Sequence, residues 1–120
     1  VDAVAAGGKR SGETVTGANL AGGENVTVTV QAAQWIDADT LKVYVDGTLQ
    51  TTTPLPAWTP SYAGPVTRLH LSIPISFPST TGRHWVVFVA EGDTSLGKIH
   101  PANPPGRLPF GVTNPIFFMP

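Results

Sequence analysis

Alternation with a period of two, repeated in segment after segment, most restricts what this chain can fold into. From Asn25 to Gln31 the apolar Val26, Val28 and Val30 alternate with Thr27, Thr29 and Gln31. Leu41, Val43 and Val45 alternate in the same way with Lys42 and Tyr44. Successive side chains of a strand point to opposite faces, so both segments read as strands with one buried face. Asp46-Gly47 follows the second at once, and Thr48-Leu49-Gln50 resumes an extended pattern. A two-residue Asp-Gly link suits a type I′ turn, which needs positive φ at both positions, and so predicts a hairpin. From Val66 to Ile75 a further strand turns Leu69, Leu71, Ile73 and Ile75 inward and Arg68, His70 and Ser72 outward. Pro74, on the outward phase, has no N–H to give a neighbour, so this strand's far end is expected at a sheet edge.

Arg83 to Ala90 differs, because Trp85, Val87 and Val89 alternate with Val86, Phe88 and Ala90, leaving both faces apolar. A run of that kind belongs in the middle of a sheet covered on both sides. Gly111 to Phe118 predicts a last strand interrupted by Asn114-Pro115, and Val1 to Ala6 and Glu13 to Leu20 give weaker strand signals. The 13 glycines and 12 prolines among 120 residues require many turns, and no segment reads as a helix of three turns. The expected fold is all-β, a two-sheet antiparallel immunoglobulin-like sandwich of about seven strands in one domain, 1–120. The predicted core includes Val28, Val30, Leu41, Val43, Leu71, Ile73, Trp85 and Val87, with Trp35 also expected inside. The chain has no cysteine, so the Cys…Trp…Cys pattern of true immunoglobulin domains is absent.

Charge narrows the function classes. Seven Lys and Arg against eight Asp and Glu give no basic surplus for nucleic acid. No stretch approaches the 18 or so apolar residues of a membrane-spanning helix. Gly92 to Lys98 matches the first seven positions of a phosphate-binding loop, but Ile99 stands where Ser or Thr must hold magnesium, and His100-Pro101 follows where a helix must begin. Asp37 and Asp39 lack the third ligand and glycine of a calcium loop, so turn chemistry is the expectation for them. His70, His84 and His100 show no metal-ligand spacing, and no serine has the local context of an activated nucleophile. Asn25-Val26-Thr27 fits an N-glycosylation pattern but falls in a predicted strand. No catalytic, metal or cofactor-binding residue is predicted in this chain.

The longest irregular stretch, Thr51 to Pro65, embeds Leu55, Trp58 and Tyr62 among four prolines. A loop of that length in a compact domain is usually functional or covers something. Its aromatics have three readings: stacking on a sugar ring, plugging an end of the sandwich, or packing on a neighbouring domain. A second loop runs from Asp93 to Pro109. A sandwich has one interior, so the second apolar face of the Arg83 to Ala90 strand needs a cover. If the loop does not supply it, an apolar patch remains of the kind that marks partner surfaces. Trp58, Tyr62 and Phe118 are the expected members of that docking or ligand surface.

Three segments carry a family resemblance. Gln34 to Gly47, QWIDADTLKVYVDG, resembles a motif W-hydrophobe-x-x-D-x-hydrophobe-x-V-Y-V-(N/D)-G. Trp85 to Asp93 resembles a strand running into a short glycine turn, and Leu108 to Phe117, LPFGVTNPIF, is similar to a closing T-N-P-I motif. In this order they resemble the C-terminal β-sandwich of bacterial exported metallohydrolases with a PHP (polymerase and histidinol phosphatase) domain, the carbaryl-hydrolase-like group. The resemblance covers most of the chain from Gly8 onward. It implies a non-catalytic accessory module, with the metal ligands and hydrolytic chemistry in an upstream PHP domain of the same polypeptide. It also implies an extracytoplasmic setting, periplasmic or secreted. Starting at Val1 and ending at Met119-Pro120, the chain reads as a C-terminal fragment of a longer protein. The catalytic domain is then the expected partner, with weak self-association through the vacated surface. The alternative is a free-standing carbohydrate-binding or adhesion module.

Overall fold

The computed structural model describes residues 1–33, 36, 38–56, 66–93 and 108–120, with the backbone alone for 66–68. The described residues form β1 (Asp2–Val4), a 3-10 turn (Ala6–Gly8), β2 (Thr14–Thr16), β3 (Glu24–Ala33), β4 (Thr40–Val45), β5 (Thr48–Pro54), β6 (Val66–Ile75), β7 (His84–Glu91), β8 (Phe110–Val112) and β9 (Ile116–Met119). One sheet has the order β1-β3-β6; the other runs β2-β9-β7-β4-β5, with β8 also on β7. The chain is therefore an immunoglobulin-like β-sandwich, its first strand divided between the two sheets. One pair departs from the antiparallel expectation. β2 runs parallel to β9, because the chain crosses to the second sheet after the 3-10 turn without reversing direction along the last strand.

The core lies between the sheets. Val26, Val28, Val30, Ile73 and Ile75 face Leu41, Val43, Val45, Val86, Phe88, Ile116 and Phe118 across it. Single-faced strands follow their predicted phase. β3 buries Val26, Val28 and Val30, and β4 buries Leu41, Val43 and Val45. The β4–β5 hairpin turns at Asp46 and Gly47, with φ of 51° and 83°, the left-handed pair a type I′ turn requires. A bulge between Val43 and Tyr44 follows, where Gln50 is the extra residue of β5. β5 runs on to Pro54, into the stretch expected to be irregular, because an edge strand tolerates a terminal proline. Among the described strands β6 is likewise at an edge, the position expected from Pro74.

Two predicted core residues are placed differently, and a third is only partly buried. Trp85 is 36% exposed and Val87 is half-buried, because β7 turns His84, Val86, Phe88 and Ala90 inward instead. With two apolar faces, β7 contains no phase information of its own. Its pairing with β4 decides: Leu41, Val43 and Val45 stand opposite Ala90, Phe88 and Val86, and directly paired residues share a face. Leu71 keeps its predicted inward phase and packs against the core but is half-buried, since nothing among the described residues pairs with the far side of β6. Trp35 lies outside the described residues.

β8 and β9 are one predicted strand broken by a bulge. Val112 pairs with Val89 and Ile116 with Val86, so the interval on the last strand is one residue longer than on β7. Thr113 closes the gap. Its N–H donates to the Phe88 carbonyl at 3.0 Å, and its Oγ1 accepts from the Phe88 N–H at 3.1 Å. The hydroxyl thus replaces a ladder carbonyl at a buried position. Thr113→Val keeps the shape but strands the Phe88 N–H, at a cost of about 1–3 kcal/mol. Thr113→Ser should retain most of that stability in urea unfolding. Val43→Asp should abolish folding, because an unpaired buried carboxylate costs several kcal/mol, on the order of a small domain's whole stability. Val87→Asp, on the outer face, should leave a folded chain by circular dichroism.

Candidate functional site

Two features stand out beyond the core. The first is the outer face of the six-stranded sheet. Pairing with β7 puts Phe110 and Val112 on the face that carries Trp85, Val87 and Val89, and Phe117 and Tyr44 join it through β9 and β4. Phe110 is 72% exposed and Val112 56%. The charged rim is sparse. The Arg83 guanidinium sits 3.8 Å over the Phe117 ring, and Lys42 Nζ meets Glu91 at 2.6 Å. That hydrogen bond to Glu91 holds the Lys42 ammonium above lysine's ordinary value, against a smaller opposing effect of desolvation. A groove of about 400 Å³ opens beside the Phe110 end, bordered by Val30, Ala38 and Ala90.

Of the predicted site residues, Phe118 alone is described, and it does not lie on this face. Phe118 is fully buried: it pairs with His84 on the inward side of β7 and packs against Phe77 at 5.1 Å between ring centroids. It is a core residue and not a member of a docking surface. Trp58 and Tyr62 lie outside the described residues. The Asp39 carboxylate accepts from the Asp93 N–H at 2.6 Å, a contact between distant parts of the chain and not the local turn expected of it; Asp37 and the Lys98 region lie outside the described residues. Among the described residues, no three His, Asp or Glu side chains gather as a metal site.

The second feature, at the opposite end of β7, is a polar relay. The hairpin turn holds Asp46 so that its Oδ1 accepts from the Trp85 N–H at 2.9 Å, while the Asp46 N–H donates to the Trp85 carbonyl at 3.0 Å. Trp85 itself lies over Gly47, within ordinary contact of where a Cβ would stand. Asp46 Oδ2 lies 2.6 Å from His84 Nδ1. An ionised carboxylate only accepts, so Nδ1 carries the proton. His84 is buried, its ring 5.5 Å from Phe77 between centroids, and its Nε2 is 3.2 Å from Ser79 Oγ. Ser79 Oγ also lies 2.7 Å from the Thr81 carbonyl. A cavity of about 300 Å³ adjoins the relay, lined in part by Asp46, Gln50, Phe77 and Pro78.

In the sequence Asp46 is a turn residue near Asp37 and Asp39, and His84 is one of three scattered histidines. The signal available was a polar residue interrupting the apolar inward phase of β7, visible only once that phase is known. No protein-family model matches the chain, and neither does any curated protein or solved structure compared with it.

Two outcomes follow for these groups. Asp46→Gly keeps the left-handed turn but leaves the His84 Nδ1–H without its acceptor, and should cost about 1–2 kcal/mol in urea unfolding. Asp46→Asn, also tolerant of positive φ, should cost less. The Lys42–Glu91 pair should persist through pH 9. A raised lysine value means that its contribution is complete below lysine's ordinary 10.5 and fades only as pH climbs through the raised value; a titration of the Lys42 Cε resonance checks this.

Proposed function

We propose that this chain is a non-catalytic accessory β-sandwich of a larger, extracytoplasmic metal-dependent hydrolase, and that it docks on its catalytic domain through the outer face of the six-stranded sheet. The observation that carries the reading is the exposure of Phe110, Val112 and Trp85 on the same face of the six-stranded sheet. Scattered apolar side chains need no explanation, but a run of them across neighbouring strands marks a partner surface. The resemblance of the three sequence segments supplies the partner, a PHP-type catalytic domain of the same polypeptide. Interfaces between domains of one chain are modest in area and partly polar, which suits a face rimmed by Arg83, Lys42 and Glu91.

A carbohydrate-binding or adhesion module is the second reading, favoured by one observation: Trp85 sits partly exposed on a sheet face near Phe117 and Tyr44, where a sugar ring can stack.

Replacing Phe110 and Val112 together by Ser should leave unfolding within about 0.5 kcal/mol of the parent, as for most surface changes. The same double variant should lose association with the catalytic domain in analytical ultracentrifugation. Undiminished association would overturn the docking face. A shift of Trp emission with polysaccharide, abolished by Trp85→Ala, would establish the second reading instead. After dialysis the isolated chain should hold no stoichiometric zinc or manganese; retention of either with metal-dependent hydrolysis would refute an accessory role.

A further inference from the structure

Ser79, His84 and Asp46 are arranged as nucleophile, base and base-orienting carboxylate. With Nδ1 held by Asp46, the His84 ring in its neutral form presents the lone pair of Nε2 to Ser79 Oγ, 3.2 Å away. The carboxylate is itself fixed by the Trp85 N–H and by a turn whose backbone conformation suits few residues. The imidazole is clamped by burial against Phe77, whereas Ser79 is exposed and open to reagents. A nucleophile within hydrogen-bond reach of a base, and a base oriented by a third group, is the signature of an activated hydroxyl irrespective of chain order.

We propose that Ser79 is a nucleophile toward activated carboxylic esters, with His84 as its general base and Asp46 as the residue that positions the base. Ser79 Oγ bonds to the ester carbonyl carbon as its proton passes to His84 Nε2. The bond from that carbon to the leaving oxygen then breaks, and the departing alkoxide or phenoxide takes the proton from Nε2 or from water. The product is one O-acyl group on Ser79 and one molecule of alcohol. The Thr81 carbonyl, 2.7 Å from Oγ, competes for the hydroxyl proton, so acylation proceeds from the rotamer that points to His84. The proposal concerns a stoichiometric acyl transfer, and it is independent of the docking reading. The relay sits at the His84 end of β7 and Phe110 opposite Glu91 at the other, about 23 Å away at ~3.3 Å per strand residue.

The test is incubation of the folded chain with p-nitrophenyl acetate, followed by peptide mapping of acetyl groups against time. Acetylation of the exposed Lys9 amine serves as the internal reference. Ser79 should acquire acetyl about a hundredfold faster than the chain's other exposed serines, the lower range of what a positioned base contributes. Asp46→Asn, a substitution the turn accommodates, should lower the ratio of Ser79 to Lys9 acetylation about tenfold or more, and His84→Gln should lower it at least as far. A purely structural clasp would leave that ratio unchanged in any variant that remains folded. Long-range ¹H–¹⁵N spectra supply a second readout that needs no variant: His84 should show a protonated Nδ1 and a bare Nε2 in its neutral form. Acetyl found on amines alone, a Ser79 rate indifferent to Asp46→Asn, or an Nε2-protonated neutral ring would each overturn the proposal.

Discussion

The register between β4 and β7 is the constraint on which the rest of the molecule depends. β4 has one apolar face and so knows which way to turn; β7 has two and does not. Setting Val43 opposite Phe88 commits Phe88, Val86 and Ala90 to the core and, in the same step, turns Trp85, Val87 and Val89 outward. Everything of functional interest follows from that commitment. The outer apolar face exists because the strand's second set of side chains had to go somewhere. The buried His84 exists because it shares the inward phase with Phe88.

Hydrophobicity alone does not select this register. Moving β7 by one residue would place Trp85, Val87 and Val89 inward, which are as apolar as the set they replace, and a slip by two would keep the same set inward. Register is specified by pattern where a strand has one apolar and one polar face, and a strand apolar on both lacks that signal. Here two polar contacts supply the missing discrimination. The Asp46 carboxylate reaches both the Trp85 N–H and His84 Nδ1, and Thr113 Oγ1 reaches the Phe88 N–H. The first is satisfied only at the observed offset of β7 against β4 and the second only at its observed offset against the last strand, and a buried N–H or imidazole left without a partner costs more than an average hydrogen bond contributes. Polar groups that fix a register at some expense in raw stability are a known use of buried polarity.

How far the sequence was legible follows from the same physics. The β3 and β4 phases, the type I′ turn at Asp46-Gly47 and the break at Asn114-Pro115 are local properties of side-chain period and backbone preference, and they can be read from short windows. The phase of β7 is a property of a pair of strands, so the expectation that Trp85 and Val87 lie inside failed where the window had no polar residue to arbitrate. Phe118 failed for a related reason. A phenylalanine near the end of a chain looks available for a partner, but its pairing with His84 places it on the inward side of the sheet. The relay was illegible altogether, since Asp46 and His84 are 38 positions apart and only the fold puts a hairpin turn beside the first residue of β7.

The two ends of β7 thereby acquire opposite characters from a single pairing. At Glu91 the neighbours are Phe110 and Lys42, and apolar surface faces outward with a charge at its margin. At His84 the turn of the adjacent hairpin delivers a carboxylate to an imidazole enclosed by Phe77 and, across the pair, Phe118. Low local dielectric strengthens a hydrogen bond there and makes an unpaired group costlier, so such networks are held firmly when complete. Rigidity of that kind serves register and chemistry alike: the geometry that lets Asp46 reject a slipped strand also keeps His84 Nε2 aimed at Ser79 Oγ. A side chain held in one rotamer by packing on one side and a charge on the other is what a positioned base requires, and in this molecule strand pairing provides both.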